Sequence, residues 1–226
     1  MTYNITPKEI YNILILDDDI LKLYKEIEEK EIKDGGWAFH NYEHVKNVTK
    51  IAEKILTDLN IDEDTIYKCK IACLLHDIGC IQGKEGHAQR SFEYARKFFK
   101  DKRWIFQGSD EVLDAIKNHG SGFETNSVIG LSIIIADKLD IKKTRITEEG
   151  KKIEGNRQYV HIEDITINIE NGMLKINFIT DGNMDIKEVN EYYFTSKVFL
   201  AIQAFSNKFN LKYNILMDNN MWNLKF

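Results

Sequence analysis

The sequence predicts a mainly α-helical protein that ends in a small α+β unit, and three observations carry that expectation. From His44 onward, Val45, Val48, Ala52, Ile55 and Leu59 recur at alternating spacings of three and four, the mark of an amphipathic helix. The stretch NSVIGLSIIIADKLD, which begins at Asn126, is apolar on nearly every side until Ala136, as a helix at the centre of a bundle must be. After about residue 157 the period changes to two. Ile165, Ile167 and Ile169 alternate with polar residues, Asn171-Gly172 offers a tight turn, and Leu174, Ile176 and Phe178 resume the alternation, which predicts a β-hairpin.

The other elements follow in chain order. The single proline lies in TPKE, residues 6–9, where Thr6 suits an N-cap, Pro7 the first helical position and Glu9 the capping-box acid. Residues 17–33 open with acids that favour a helix N-terminus and close with Lys33 before Gly35 and Gly36. FHNYEHV, residues 39–45, places His40 and His44 one helical turn apart on a shared face. Residues 62–80, DEDTIYKCKIACLLHDIGC, have an acidic start, an apolar middle and a terminal glycine, and so predict a further helix. Helices are also expected from His87, from Ser109 and from Asn126, with Ser109 and Asn126 as N-caps. Residues 187–209 return to helical spacing through Val189, Tyr193, Phe199, Ile202, Phe205 and Phe209, a stripe expected to pack on the sheet. LKYNIL is expected to add a strand to the hairpin. No repeat or low-complexity segment interrupts the chain.

The 226 residues, 43% hydrophobic and 30% charged, suffice for one sizeable core and a small second unit, which we divide at 1–156 and 157–226. A net charge of −5 argues against broad nucleic-acid or anionic-membrane binding, each of which needs a cationic surface. The N-terminus has no charged-then-apolar leader, and no apolar run is long enough to cross a bilayer, so a soluble cytoplasmic protein is expected. Cys69, Cys73 and Cys80 lack zinc-type pairing and read as buried reduced thiols, with a metal or redox role as the lesser alternative.

The chemistry concentrates in the helical part. His44, the adjacent His76 and Asp77, and Asp137 each fall on or at the end of an expected helix. Two imidazoles and two carboxylates suit Zn, Mn or Fe with positions left for water, and Asp77 could bridge two ions through its two oxygens. His87 and His119 enlarge the set. Each residue also has an ordinary reading. His87 could be a surface histidine in a first helical turn, His119 a helix C-cap, and Asp137 an acceptor of structural hydrogen bonds. Lys138 and Arg145 follow Asp137 and could bind phosphate, although surface solvation is the plainer reading of Arg145. Gly120-Ser121-Gly122 could approach a phosphate or simply end a helix.

Taken in order, HNYEH, LLHDIG, GHAQRS, IKNHG and ADKLD, over about residues 37–146, resemble the HD-domain metal-dependent phosphohydrolases, named for the adjacent His-Asp pair. The resemblance implies an HD-domain helical bundle with the C-terminal α+β unit as an appendage. It also implies metal ligands at His44, His76, Asp77 and Asp137, with His87 and His119 added in dinuclear members. One or two divalent ions (Fe, Mn or Zn, with Mg also possible) and a small phosphorylated substrate such as a nucleotide follow from it, cleaved by a metal-activated water. HNYEH is similar to the HNxxH stretch of cyclic-nucleotide phosphodiesterases, which implies that His40 protonates the leaving oxygen beside a catalytic Asp77. Asn41 could orient His40 or cap the helix, and capping is favoured. One departure is Cys80, where many HDIG-containing relatives carry lysine; Lys84 is the nearby substitute for that contact. The alternatives to a phosphomonoesterase or pyrophosphate-cleaving enzyme are a cyclic-nucleotide phosphodiesterase and a regulatory module without turnover. A homo-oligomer is compatible with all of them.

Overall fold

The computed structural model describes residues 3–120, 122–123 and 125–222. Gly120-Ser121-Gly122, expected to approach a phosphate or to end a helix, falls partly outside them, at Ser121. The first helix, α1 (Pro7–Leu14), begins with the capping box of Thr6 and Glu9. Next come α2 (Asp18–Asp34), capped by Asp17 and closed by Gly35 in the left-handed conformation, and α3 (Tyr42–Asp58), capped by Asn41. Helices α4 (Glu63–Leu75), α5 (His87–Asp101), α6 (Ser109–Asn118) and α7 (Val128–Leu139) complete the bundle. Two short strands, β1 (Tyr3–Asn4) and β2 (Trp104–Ile105), pair in parallel and tie the N-terminus to the α5–α6 connection.

Helix α7 is central because its two faces serve two cores. Ile129, Ile133 and Ala136 pack with α1–α6, whereas Leu131, Ile135 and Leu139 pack with the C-terminal residues. Both triplets follow helical spacing on opposite sides, so an all-round apolar sequence is what this position requires.

The C-terminal sheet has the order β3-β4-β5-β6, formed by β3 (Ile162–Glu170), β4 (Met173–Thr180), β5 (Lys212–Met217) and β6 (Asn220–Met221). The hairpin turns where expected: Asn171 and Gly172 both have positive φ, 51° and 74°, as a two-residue turn matched to strand twist demands. LKYNIL joins it parallel to β4, the crossover being made by α8 (Ile186–Glu191) and α9 (Tyr193–Lys208).

Four expectations are corrected. The N-cap of α7 is Ser127, whose hydroxyl accepts from Gly130 N–H, and not Asn126. Gly108 takes the cap position of α6 in a left-handed conformation, so Ser109 is already helical. The helix from Glu63 stops at Leu75, and a 3-10 turn carries Ile78–Gln82. The late helix is broken at Tyr192, whose extended backbone (ψ 125°) separates α8 from α9. Phe199, Ile202 and Phe205 are buried as the stripe implied, but Tyr193 is 71% exposed. All three cysteines are reduced and buried. Among the described residues, no helix is long and apolar enough to cross a membrane.

Candidate metal centre

Five elements deliver the site. His44 lies in the first turn of α3, His76 is the C-cap of α4 with Asp77 next to it, His87 opens α5, His119 is the C-cap of α6, and Asp137 lies in the last turn of α7. Helix C-termini leave carbonyls without intrahelical partners, and the His76 and His119 imidazoles reach such carbonyls of α4 and α6, while His87 reaches a loop carbonyl ahead of α5. The Nδ1 of His76 lies 2.7 Å from the Cys73 carbonyl, that of His119 2.7 Å from Ile116, and that of His87 2.7 Å from Lys84, each three residues back. The Nδ1 of His44 meets Asp140 Oδ2 at 2.7 Å. With each Nδ1 engaged by an oxygen, Nε2 is the ring atom each histidine has left to offer a cation, and all four Nε2 atoms face Asp77.

Asp77 divides the histidines between its oxygens. Oδ2 lies 3.2 Å from His44 Nε2 and 3.1 Å from His76 Nε2, while Oδ1 lies 3.2 Å from His87 Nε2 and 3.6 Å from His119 Nε2. Asp137 Oδ1 closes the first group at 3.3 Å from His44 Nε2. Two sets of potential ligands result, His44-His76-Asp77-Asp137 and Asp77-His87-His119, each with its ligand atoms within 4.8 Å of one another. Ligands bound at about 2.1 Å stand about 3.0 Å apart at right angles and about 3.4 Å apart at the tetrahedral angle. The spacings therefore match two shells sharing one carboxylate. Among the described residues, the buried His44 Nε2, His76 Nε2 and Asp77 Oδ2 have no hydrogen-bond partner, a costly arrangement that a divalent cation would resolve.

Burial alone would raise the Asp77 carboxyl, but His76, His40, His119 and His44 more than offset it and hold Asp77 well below the usual carboxylate range. Asp137 is likewise low: burial pushes it up, and Lys138, His44 and Arg145 pull it down further. Burial and Arg145 work against protonation of His44, yet Asp137, Asp140 and Asp77 raise it to about 9. A cation entering the first set must displace that proton, so metal affinity should rise with pH up to about 9. Calorimetric titration of Mn²⁺ at pH 7 in buffers of different ionisation enthalpy should show proton release; a buffer-independent heat would contradict it.

The remaining sequence-derived residues fall around this centre. His40 precedes the Asn41 cap and is not on the helix, so it does not stack one turn above His44; its ring meets that of His44 edge-on at 6.0 Å. It belongs to neither ligand set. Asn41 caps α3, accepting from His44 N–H at 3.0 Å, and its amide donates to Glu28. Lys138 pairs with Asp137. Arg145, for which the sequence offered phosphate binding or surface solvation, is only 10% exposed: it stands 3.6 Å from Asp137 and 3.7 Å from Asp140 and donates to the Asp140 carbonyl, because the segment after α7 folds back over the centre. Lys84 is exposed on the loop before α5, and all three cations line one cleft with Asp77.

Two residues escaped the sequence reading. Glu31, on α2, accepts the His40 backbone N–H through Oε2 at 2.8 Å and contacts His40 Nδ1 through Oε1. Burial raises its carboxyl to about 7, while burial also keeps His40 neutral, well below the ordinary imidazole value. Nothing in EIEEKEIK separates Glu31 from its solvated neighbours. Asp140 did leave a signal: it lies three residues after Asp137, hence on nearly the same helical face.

Gly79 holds the two ligand sets together. A Cβ there would stand 2.3 Å from the His87 carbonyl oxygen and 2.7 Å from Ser91 N, both backbone atoms. Its N–H donates to Ser91 Oγ and its carbonyl accepts from Arg90, clamping α5 against the turn after Asp77. Gly79→Ala should push α5 outward and cost roughly 1–3 kcal/mol, the scale of overpacking a tight contact. Urea unfolding would measure this, and an unchanged midpoint would show that the contact yields freely.

Residues 41–151 match the family model described as the HD domain. An uncharacterized protein of Methanocaldococcus jannaschii is 27% identical over 161 residues, which span 62% of this chain and 62% of that relative. A crystal structure of a predicted HD superfamily hydrolase from an uncultured Thermotogales bacterium is 26% identical, with 59% of this chain and 80% of that chain covered at a TM-score of 0.43. The match runs from the Asn41 cap through all six potential metal ligands, and residues 41–151 of this chain are an HD domain.

Proposed function

We propose that the protein is a metal-dependent phosphohydrolase that cleaves a nucleotide or another small phosphate ester. The observation that carries this reading is the convergence of four Nε2 atoms and the Asp137 carboxylate around the two oxygens of Asp77, inside a cleft lined by Lys84, Lys138 and Arg145. Divalent ions held there would bring the acidity of water close to neutrality and neutralise phosphoryl charge. The chain supplies the rest. Asp137 and Asp140 engage Lys138 and Arg145 and set the direction of their cationic groups beside the cleft, where phosphoryl oxygens can accept from them. His40 donates a proton to the departing oxygen from Nε2, while Glu31 holds its other nitrogen and returns a proton to Nδ1. That exchange keeps the buried His40 ring neutral throughout.

The His40–Glu31 pair favours a second reading, a cyclic-nucleotide phosphodiesterase, because a ribose hydroxyl is a poor leaving group that needs such an acid. Mn²⁺-loaded protein should be assayed against p-nitrophenyl phosphate, nucleoside mono- and triphosphates and cyclic nucleotides. Turnover confined to cyclic nucleotides would select the second reading, and turnover of none would leave a binding module.

A further inference from the structure

The cleft that holds the metal centre has a volume of about 630 Å³, the size that encloses a whole small molecule and far more than a phosphoryl group requires. Much of its remaining wall comes from outside the HD domain: Tyr159, Tyr192, Phe194 and Lys197 line the same cavity as Asp77 and His119, and Trp37, 54% exposed, joins them. The three C-terminal rings form a cluster, with centroids 6.0 Å apart for Tyr159–Tyr192 and 6.2 Å for Tyr159–Phe194.

This wall is built rather than incidental. Tyr159 is 1% exposed and its hydroxyl is tied to Thr195 at 2.9 Å. The break between α8 and α9 sets the Tyr192 ring against Gly155, where a Cβ would lie 2.2 Å from the ring and where φ is +75°, so only glycine fits. Glu188 fastens that segment by accepting from Gly155 N–H, the Arg157 guanidinium and the Gln158 amide. Lys197 has no carboxylate within 4.0 Å among the described residues and lies over the Tyr193 ring at 4.6 Å.

We propose that the C-terminal unit is the substrate-selecting part of the site, its Tyr159–Tyr192–Phe194 wall holding a planar aromatic group of the phosphate ester and Lys197 adding a cation beside it. The inference rests on the phosphate-ester reading above. Stacking of one base on aromatic side chains is worth roughly a 5- to 150-fold change in affinity.

The test is calorimetric binding of adenosine 5′-monophosphate and ribose 5-phosphate to the full chain treated with EDTA, so that turnover does not intrude. The nucleotide should bind at least ~10-fold more tightly, and Tyr192→Ala and Phe194→Ala should each remove most of that preference. Lys197→Gln, on a partly exposed side chain, serves as the variant least able to disturb folding and should weaken the nucleotide more than the sugar phosphate. Equal affinity of the two compounds for the wild type, binding of neither, or an undiminished preference in all three variants would overturn the proposal. A persistent preference with no turnover of any phosphate ester in the panel above by Mn²⁺-loaded protein would sink the phosphohydrolase reading while leaving the wall assigned.

Discussion

Asp77→Ala should strip the protein of divalent metal and reduce phosphate-ester hydrolysis to background. Among the described residues, Asp77 alone belongs to both ligand sets: Oδ2 faces His44 and His76, and Oδ1 faces His87 and His119. Its loss leaves four imidazoles without their shared carboxylate, and Asp137 as the one carboxylate left in the ligand sets among the described residues. Elemental analysis after Mn²⁺ loading and dialysis, with a phosphatase assay alongside, checks this. Full occupancy with full activity would mean that the ions bind elsewhere.

His40→Ala should retain metal, because His40 is outside both ligand sets, yet lose turnover by about 10²- to 10⁴-fold, the scale of general acid catalysis. The defect should depend on the leaving group. A ribose hydroxyl, which departs poorly as an alkoxide, should show it in full, whereas p-nitrophenolate needs little protonation and should show much less. Glu31→Gln should reproduce the same dependence in weaker form, since an amide can still hold Nδ1 but cannot return a proton. Steady-state rates on metal-replete variants decide the matter; an equal defect for both substrates would assign His40 to positioning.

The legible parts of this molecule are those in which one local rule decides the outcome. Thr6, Pro7 and Glu9 form their box, and Asn171-Gly172 turns the hairpin, because capping and turn chemistry need no distant partner. The apolar ring around Ile129–Ala136 marks a central helix wherever its neighbours come from. The potential ligands were legible as types in an order, HNYEH through ADKLD, but their division between two oxygens of Asp77 was not, since it depends on where five helix ends meet. Glu31 was hidden among equivalent acids because its distinction is burial, which tertiary packing confers. Arg145 stayed open between phosphate binding and solvation for the same reason: as a cation in a polar stretch it resembles any surface arginine until the chain folds over Asp137 and Asp140. The break at Tyr192 is likewise a tertiary effect, for the stretch has helical spacing and is interrupted where the ring packs on Gly155.

The most direct measurement is metal stoichiometry per chain in wild type and in His119→Ala and His87→Ala, by elemental analysis after loading with Mn²⁺ and removal of excess. Two ions in the wild type and one in each variant is the expected result, because both substitutions dismantle the Asp77-His87-His119 set and spare His44, His76 and Asp137. No retained metal in the wild type, or the same stoichiometry in all three proteins, would contradict a centre built around the two oxygens of Asp77.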